Sequence, residues 1–267
     1  MKSILNYHIK FPTEKDLSQD TEYICLTDKK TNEEVRIRLH DYAEIYKCEG
    51  LYESLFNDKL QCSSPEEICN TLKVFFDENS INANTITAFD LGAGSGLVGE
   101  NLKRIGVNKV FGLDILEEAK LATERDRRPG TYEKYYVADL TQTPIMDLDG
   151  VTDENFNLMT VGSALGFGDI PVKVFIDTFN LIDSHSWVGL NIKDEFLSES
   201  DQSGFAKLFR AMIEKGVIRI HIKQPLRHRL TVLGKQLYYY IIIAEKRKNL
   251  PNSLVHSQTV GHIATET

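Results

Sequence analysis

The sequence predicts an α/β fold: a seven-stranded, mostly parallel sheet with helices on both faces, an antiparallel strand at its C-terminal end and a helical lid in front. Three observations predict it. From residue 85 onward, short apolar runs alternate with helical patterns, which is how strands joined by crossover helices read. The last two apolar runs have no helix between them, so the sheet ends on a hairpin with antiparallel pairing. Between the first run and its helix stands a glycine-rich turn, Leu91 to Glu100, of the kind that lets a backbone approach a bound nucleoside.

Each element has its own signal. The first 38 residues are mixed; Thr27 to Glu34 is polar and turn-like, and Val35 to Leu39 alternates as a short strand. From Asp41 the spacing of Tyr42, Ile45 and Tyr46 is helical. Gly50 interrupts it, and Leu51, Tyr52, Leu55 and Phe56 resume it. Ser63-Ser-Pro-Glu-Glu67 starts a helix that runs to about Asn79, with Pro in the first turn and acids at the positive end of the dipole. The strands are Thr85–Asp90, Lys109–Asp114, Tyr135–Asp139, Phe156–Gly162, Trp187–Ile192, Val217 to Lys223 or as far as Leu230, and Gln236–Ala244. Helical patterns cover Glu100–Ile105, Leu116–Arg125, Val172–Ile182 and Phe205–Lys215. This divides the chain into an N-terminal lid or extension (1–80), a core (81–247) and a flexible tail (248–267), which holds little apolar material.

Composition narrows the function. Hydrophobic residues are 42% and charged residues 26% of 267, enough for a substantial core. A net charge of −8 disfavours nucleic acid as a partner, because phosphate contact needs clustered Lys and Arg. The longest apolar run, Tyr238–Ala244, is far shorter than a bilayer span, so no membrane association is expected. Cys25, Cys48, Cys62 and Cys69 form no C-x-x-C pair, and residues 1–11 lack the apolar segment of a secretion signal. We therefore expect reduced thiols and a cytoplasmic protein. No His/Cys/Asp spacing suggests a metal site. The oligomeric state is not legible.

The glycine turn fits two cofactors. Gly94, Gly96 and Gly99 match G-x-G-x-x-G, with Asp114 about 20 residues on, as in dinucleotide sites. Asp90, Gly92, Gly94 and Gly96 also read as acid-x-G-x-G-x-G. An acid at the end of the first strand repels a pyrophosphate but favours an ammonium or sulfonium, and a closing two-strand unit departs from an all-parallel dinucleotide fold. An NAD(P)-dependent oxidoreductase is thus the weaker alternative.

With these residues the region resembles the Rossmann-like class I S-adenosylmethionine-dependent methyltransferases. "LGAGSGLVGENL", "VFGLDI", "ADL" and above all "VGSALGFGDIP" (Val161–Pro171) look like the Williams–Beuren-region type and its bacterial relatives, over about residues 86–195. The usual "FD" before the fourth strand is Phe156-Asn157 here, and the usual "PGG" turn before the fifth is Ser184-His-Ser-Trp187. No N-P-P-Y motif follows the fourth strand, which argues against a DNA adenine methylase.

The resemblance implies S-adenosylmethionine as cofactor, S-adenosylhomocysteine as product, and a small-molecule acceptor methylated at O, N or S. It implies a cofactor site of Tyr42, Asp90, Gly92, Ala93, Gly94, Asp114, Ile115, Asp139, Leu140, Gly162 and Ser163. In it Asp90 holds the methionine ammonium, directly or through water, Asp114 the ribose hydroxyls and Asp139 the adenine amino group. Leu165 and Phe167 would face the acceptor, joined by Tyr46 and Tyr52 from the lid and by His221 and Arg227 from the final hairpin. Asp114 also fits a helix cap, Asp139 a turn, the tyrosines half-buried helix faces, and "QPLRHRL" a solvated strand end. No catalytic base is assigned, because a pre-activated methyl group needs alignment more than proton transfer. The remaining alternative is a non-catalytic cofactor-binding or partner-binding protein on the same fold.

Overall fold

The first forty residues hold the largest departure from these expectations. In the computed structural model, which describes residues 6–127 and 129–250, residues 7–38 form a three-stranded antiparallel sheet. Its strands are β1 (Tyr7–Lys10), β2 (Tyr23–Asp28) and β3 (Glu34–Arg38), in the order β1-β2-β3. Only β3 reads as a strand by alternation: β1 (Tyr-His-Ile-Lys) is four residues long, and β2 (Tyr-Ile-Cys-Leu-Thr-Asp) opens on an unbroken apolar run. Ile24, Leu26 and Ile37 pack against the helix α1 (Tyr42–Lys47) and the wide π-helical turn Glu53–Lys59, through Ile45, Leu51, Leu55 and Phe56. The extension is therefore a small mixed sheet-and-helix unit.

Next comes α2 (Ser64–Glu78), opened by Pro65 and acids as its sequence implies. Alternation then builds the main sheet. The chain runs β4 (Thr87–Leu91), α3 (Leu97–Arg104), β5 (Lys109–Asp114), α4 (Glu117–Asp126), β6 (Lys134–Val137), β7 (Leu158–Val161), α5 (Val172–Leu181), β8 (Trp187–Lys193), α6 (Phe205–Glu214), β9 (Ile218–Leu230) and β10 (Gln236–Lys246). The strand order is β6-β5-β4-β7-β8-β10-β9. The first five strands are mutually parallel, and β10 lies antiparallel between β8 and β9.

Both faces of the sheet are covered, which explains why its strands are nearly continuous apolar runs. On one face, Ile68, Leu72, Phe75 and Phe76 of α2 and Val98 and Leu102 of α3 pack on Ala88, Val110, Leu158 and Ile241. On the other, Phe175 and Phe179 of α5 and Phe205 and Phe209 of α6 pack on Phe89, Met159 and Val188. Lys246, fully buried, ends β10 by donating from Nζ to the carbonyls of Phe179 (2.8 Å) and Ile182, orphan acceptors at the end of α5.

The expected tail begins with packed chain: Leu250 is buried in the same core and its N–H donates to Asn180 Oδ1 at 2.9 Å. The rest of that segment, residues 251–267, lies outside the described residues. Among the described residues no helix is long and apolar enough to cross a membrane.

Candidate active site

Parallel strands point their carboxyl ends at one edge, and ligands of such sheets bind there. At this edge the turn after β4 is bound to the end of β5. Gly94 N–H donates to Asp114 Oδ2 at 2.9 Å, and Leu116 N–H to Asp114 Oδ1 at 3.0 Å. The Gly94 carbonyl accepts from Tyr135 OH at 2.7 Å and from Thr123 Oγ1 at 3.0 Å. Gly94 sits at φ +54°, and a Cβ there would stand 2.6 Å from the Tyr46 hydroxyl, so the position requires glycine on two counts. Gly99 serves packing instead, letting α3 lie on the ring of Tyr132, which any Cβ would strike. Burial raises the Asp114 carboxyl above its ordinary pKa, with the Leu116 and Gly94 N–H groups acting against the rise.

Asp90, expected to face the ligand, does not line the cavity. Its carboxyl is 0% exposed. Oδ1 accepts from Thr160 Oγ1 at 2.7 Å and Oδ2 from Tyr132 OH at 2.8 Å. Burial lifts its pKa to about 7, against these two hydrogen bonds. The inward face of β4 at this position looks into the α3 side of the sheet, so Asp90 holds Tyr132 under Gly99.

The cavity, of about 670 Å³, is walled on one side by the strand ends and on the other by the extension. Gly92, Ala93, Gly94, Asp114, Ile115, Asp139, Leu140, Gly162 and Ser163 line the first wall, and Tyr42, Tyr46 and Tyr52 the second. Asp139 lies at the rim with Oδ1 taken by Thr141 N–H (2.8 Å) and Thr141 Oγ1 (2.7 Å), the geometry of a turn. The lining carboxylates are Asp41, Glu44, Asp114, Asp139 and Asp169; the lining guanidinium, Arg229, is bound to Glu22 at 2.6 Å in a buried pair. The wall therefore favours a cation over a polyanion.

No family profile matches the chain. The ubiquinone biosynthesis O-methyltransferase, mitochondrial, of Candida albicans is 27% identical over 127 residues, covering 44% of this chain and 36% of that protein. The chain thus matches about a third of that relative's length. The dinucleotide order 3-2-1-4-5-6 runs parallel throughout, whereas here a reversed strand is inserted before the last. Over those 127 residues the chain is similar to an O-methyltransferase. Two solved structures align over much of the chain. One is the magnesium protoporphyrin IX methyltransferase of Synechocystis with bound S-adenosylhomocysteine, with 14% identity, TM-score 0.47, and 68% of this chain and 82% of that one covered. The other is the ribosomal protein L11 methylase of Lactobacillus delbrueckii, with 16% identity, TM-score 0.40, and 67% and 78% covered.

The segment after β7 is shaped by two features the sequence does not announce. Ser163 has a left-handed backbone, φ +61°, costing about 1–2 kcal/mol for a residue with a Cβ. Asn191, fully buried on β8, holds it there by accepting the Ser163 N–H at 2.6 Å. Phe167 reaches the cavity, with its ring 5.1 Å from that of His40. Leu165 does not; it is 2% exposed and packs in the α5 core.

The two hairpin residues expected at the acceptor also lie elsewhere. His221 faces Glu245 (3.6 Å) and packs on Phe75 and Trp187, on the far end of β9. Arg227 is outside the wall, its carbonyl accepting from Ser63 Oγ at 2.8 Å. Their neighbours His228 and Arg229 line the cavity instead. Tyr132, Tyr135, Thr123 and Asn191 escape sequence reasoning, because a tyrosine or threonine on a strand or helix looks like ordinary core until its partner is known. Among the described residues no cluster of His, Cys, Asp or Glu has a metal-binding arrangement.

Proposed function

We propose that this chain transfers a methyl group from S-adenosylmethionine to an oxygen, nitrogen or sulfur atom of a small molecule. The carrying observation is the carboxylate-rich cavity of about 670 Å³ between the glycine turn and the tyrosine cover, a volume in the range of small-ligand sites. It suits a cationic nucleoside with room for an acceptor. Asp114 and Ile115 would hold the ribose and adenine edge, with Leu140 as the apolar floor and Asp139 at the rim. The turn Gly92–Gly94 and Tyr42 would hold the amino-acid end, and Ser163 would stand beside the reacting centre. When bound, the cofactor supplies an electrophilic methyl carbon. The chain's own residues align the acceptor with that carbon and exclude water from it.

In this reading residues 81–247 are the catalytic core and 1–80 its cover, and four free cysteines suit a reducing compartment such as the cytoplasm. The name of the curated relative supports an oxygen acceptor. Calorimetry with S-adenosylmethionine and with NADH tests the cofactor: binding of the second alone overturns the proposal. Release of S-adenosylhomocysteine on addition of a metabolite extract tests transfer, and binding without release would identify a silent binder.

A further inference from the structure

β9 carries two residues too many opposite β10, one at each of two bulges: His221, skipped between Ile220 and Ile222, and His228. Leu237 pairs with Arg229 and Tyr238 with Arg227, so His228 has no partner across the ladder. A bulge of this kind bends a strand and re-aims a side chain. Here it turns His228 inward, 5% exposed, onto the cavity wall. The start of α2 is tied to the same bulge, with Ser63 N–H donating to the His228 carbonyl at 3.0 Å.

Donor and acceptor chemistry fixes the direction of the neighbouring hydrogen bonds. The Ser163 N–H is a donor only, so the Asn191 atom 2.6 Å away is its oxygen, which fixes the amide. Asn191 Nδ2, a donor only, then meets Ser64 Oγ at 2.8 Å. Ser64 Oγ therefore accepts from Asn191, and its own proton goes to the remaining partner, His228 Nδ1, at 2.7 Å. With Nδ1 accepting, a neutral ring carries its proton on Nε2. Nε2 has no hydrogen-bond partner among the described residues and is not among the buried unpaired atoms, so it opens on the cavity.

We propose that His228 is a positioning residue of the acceptor pocket, donating its Nε2–H to a lone-pair oxygen of the methyl acceptor rather than acting as a base. This rests on the methyltransferase reading. Burial and the flanking Arg227 and Arg229 cations hold its pKa well below the usual histidine value. The facing groups add no negative charge: burial raises the Cys62 thiol, 3.9 Å from Nδ1, and pushes the Tyr239 phenol up to about 12. Glu22 is spent on Arg229. The Tyr239 ring lies 4.1 Å from the imidazole, and its hydroxyl accepts from Gln19 Nε2 at 2.7 Å, which leaves its own proton available as a second donor. Two neutral donors select an acceptor bearing a carboxylate, carbonyl or phenolate oxygen at this end, and select against an ammonium.

The test has two arms. In the first, the full chain is labelled with ¹³C,¹⁵N-histidine and the His228 signals are assigned by their loss in H228Q. The expected result is a neutral Nε2–H ring throughout about pH 6–8, with the tautomer preference relaxed in S64A. An Nδ1–H tautomer, or protonation within that window, overturns the proposal whether or not the chain transfers methyl groups. In the second, S-adenosylhomocysteine release with the same metabolite extract is compared for wild type, H228Q and H228L, with cofactor binding as the folding control. Glutamine places an N–H near the Nε2 position, so H228Q should retain activity within about threefold while H228L loses about tenfold or more. Equal loss in both, the result for a base, overturns it.

Discussion

Asp114 and Gly94 are bound across the edge of the sheet: the carboxylate at the end of β5 accepts the N–H at the centre of the glycine turn, 2.9 Å away. One side chain thus shapes the turn and lines the cavity. Replacing it by alanine removes both functions. We expect Asp114→Ala to weaken S-adenosylmethionine binding by roughly 1–3 kcal/mol in calorimetry, and unchanged affinity would exclude the ribose role.

Gly94 is confined by Tyr46 as well as by its backbone. Gly94→Ala should destabilise the fold and displace the Tyr46 ring. The clash is with the hydroxyl, since the next ring atom is 3.7 Å from the added carbon. Adding Tyr46→Phe should therefore recover part of the loss. The left-handed backbone cost of about 1–2 kcal/mol would persist. A denaturant double-mutant cycle measures this, and additivity within about 0.5 kcal/mol would refute the steric coupling.

The buried Asp90 makes stability depend on pH. Its folded pKa, about 7, lies above the unfolded value, so the native state binds the proton more tightly. The sign follows: its contribution is greatest below about pH 4 and is lost as pH rises towards 7. Asp90→Asn stays uncharged throughout. Relative to wild type, the variant should gain about 2–4 kcal/mol between pH 4 and 8, read from unfolding at each pH. An unchanged difference would mean that Asp90 ionises normally.

Glu22 on the extension and Arg229 on β9 form an ion pair with side chains 2% and 3% exposed, and Glu22 Oε1 also accepts the Val232 N–H at 2.7 Å. Removing one partner strands a buried charge. Glu22→Ala should cost about 3–5 kcal/mol in chemical unfolding. Glu22→Leu combined with Arg229→Met should cost clearly less, and equal losses would show that the charge is not the cause.

The local sequence determined the alternation of strands and helices, the position of the glycine turn and the acids ending β4 and β5. Periodicity and turn chemistry depend on near neighbours along the chain, and "TAFDLGAGSG" and "VFGLDI" contain their own neighbours. It did not determine which acid faces the cavity. Asp90 and Asp114 end equivalent strands, yet one is bound by Tyr132 and Thr160, 42 and 70 residues away, and the other lines the cavity. Likewise, nothing along the chain separates His221 from His228: each is the unpaired residue of a bulge in the β9–β10 ladder, yet only His228 lines the cavity. The tyrosine cover, the Asn191 support of Ser163 and the β1–β2 strands belong to the same class. Their energies come from contacts between segments distant in sequence, and such contacts exist only once the chain has closed on itself.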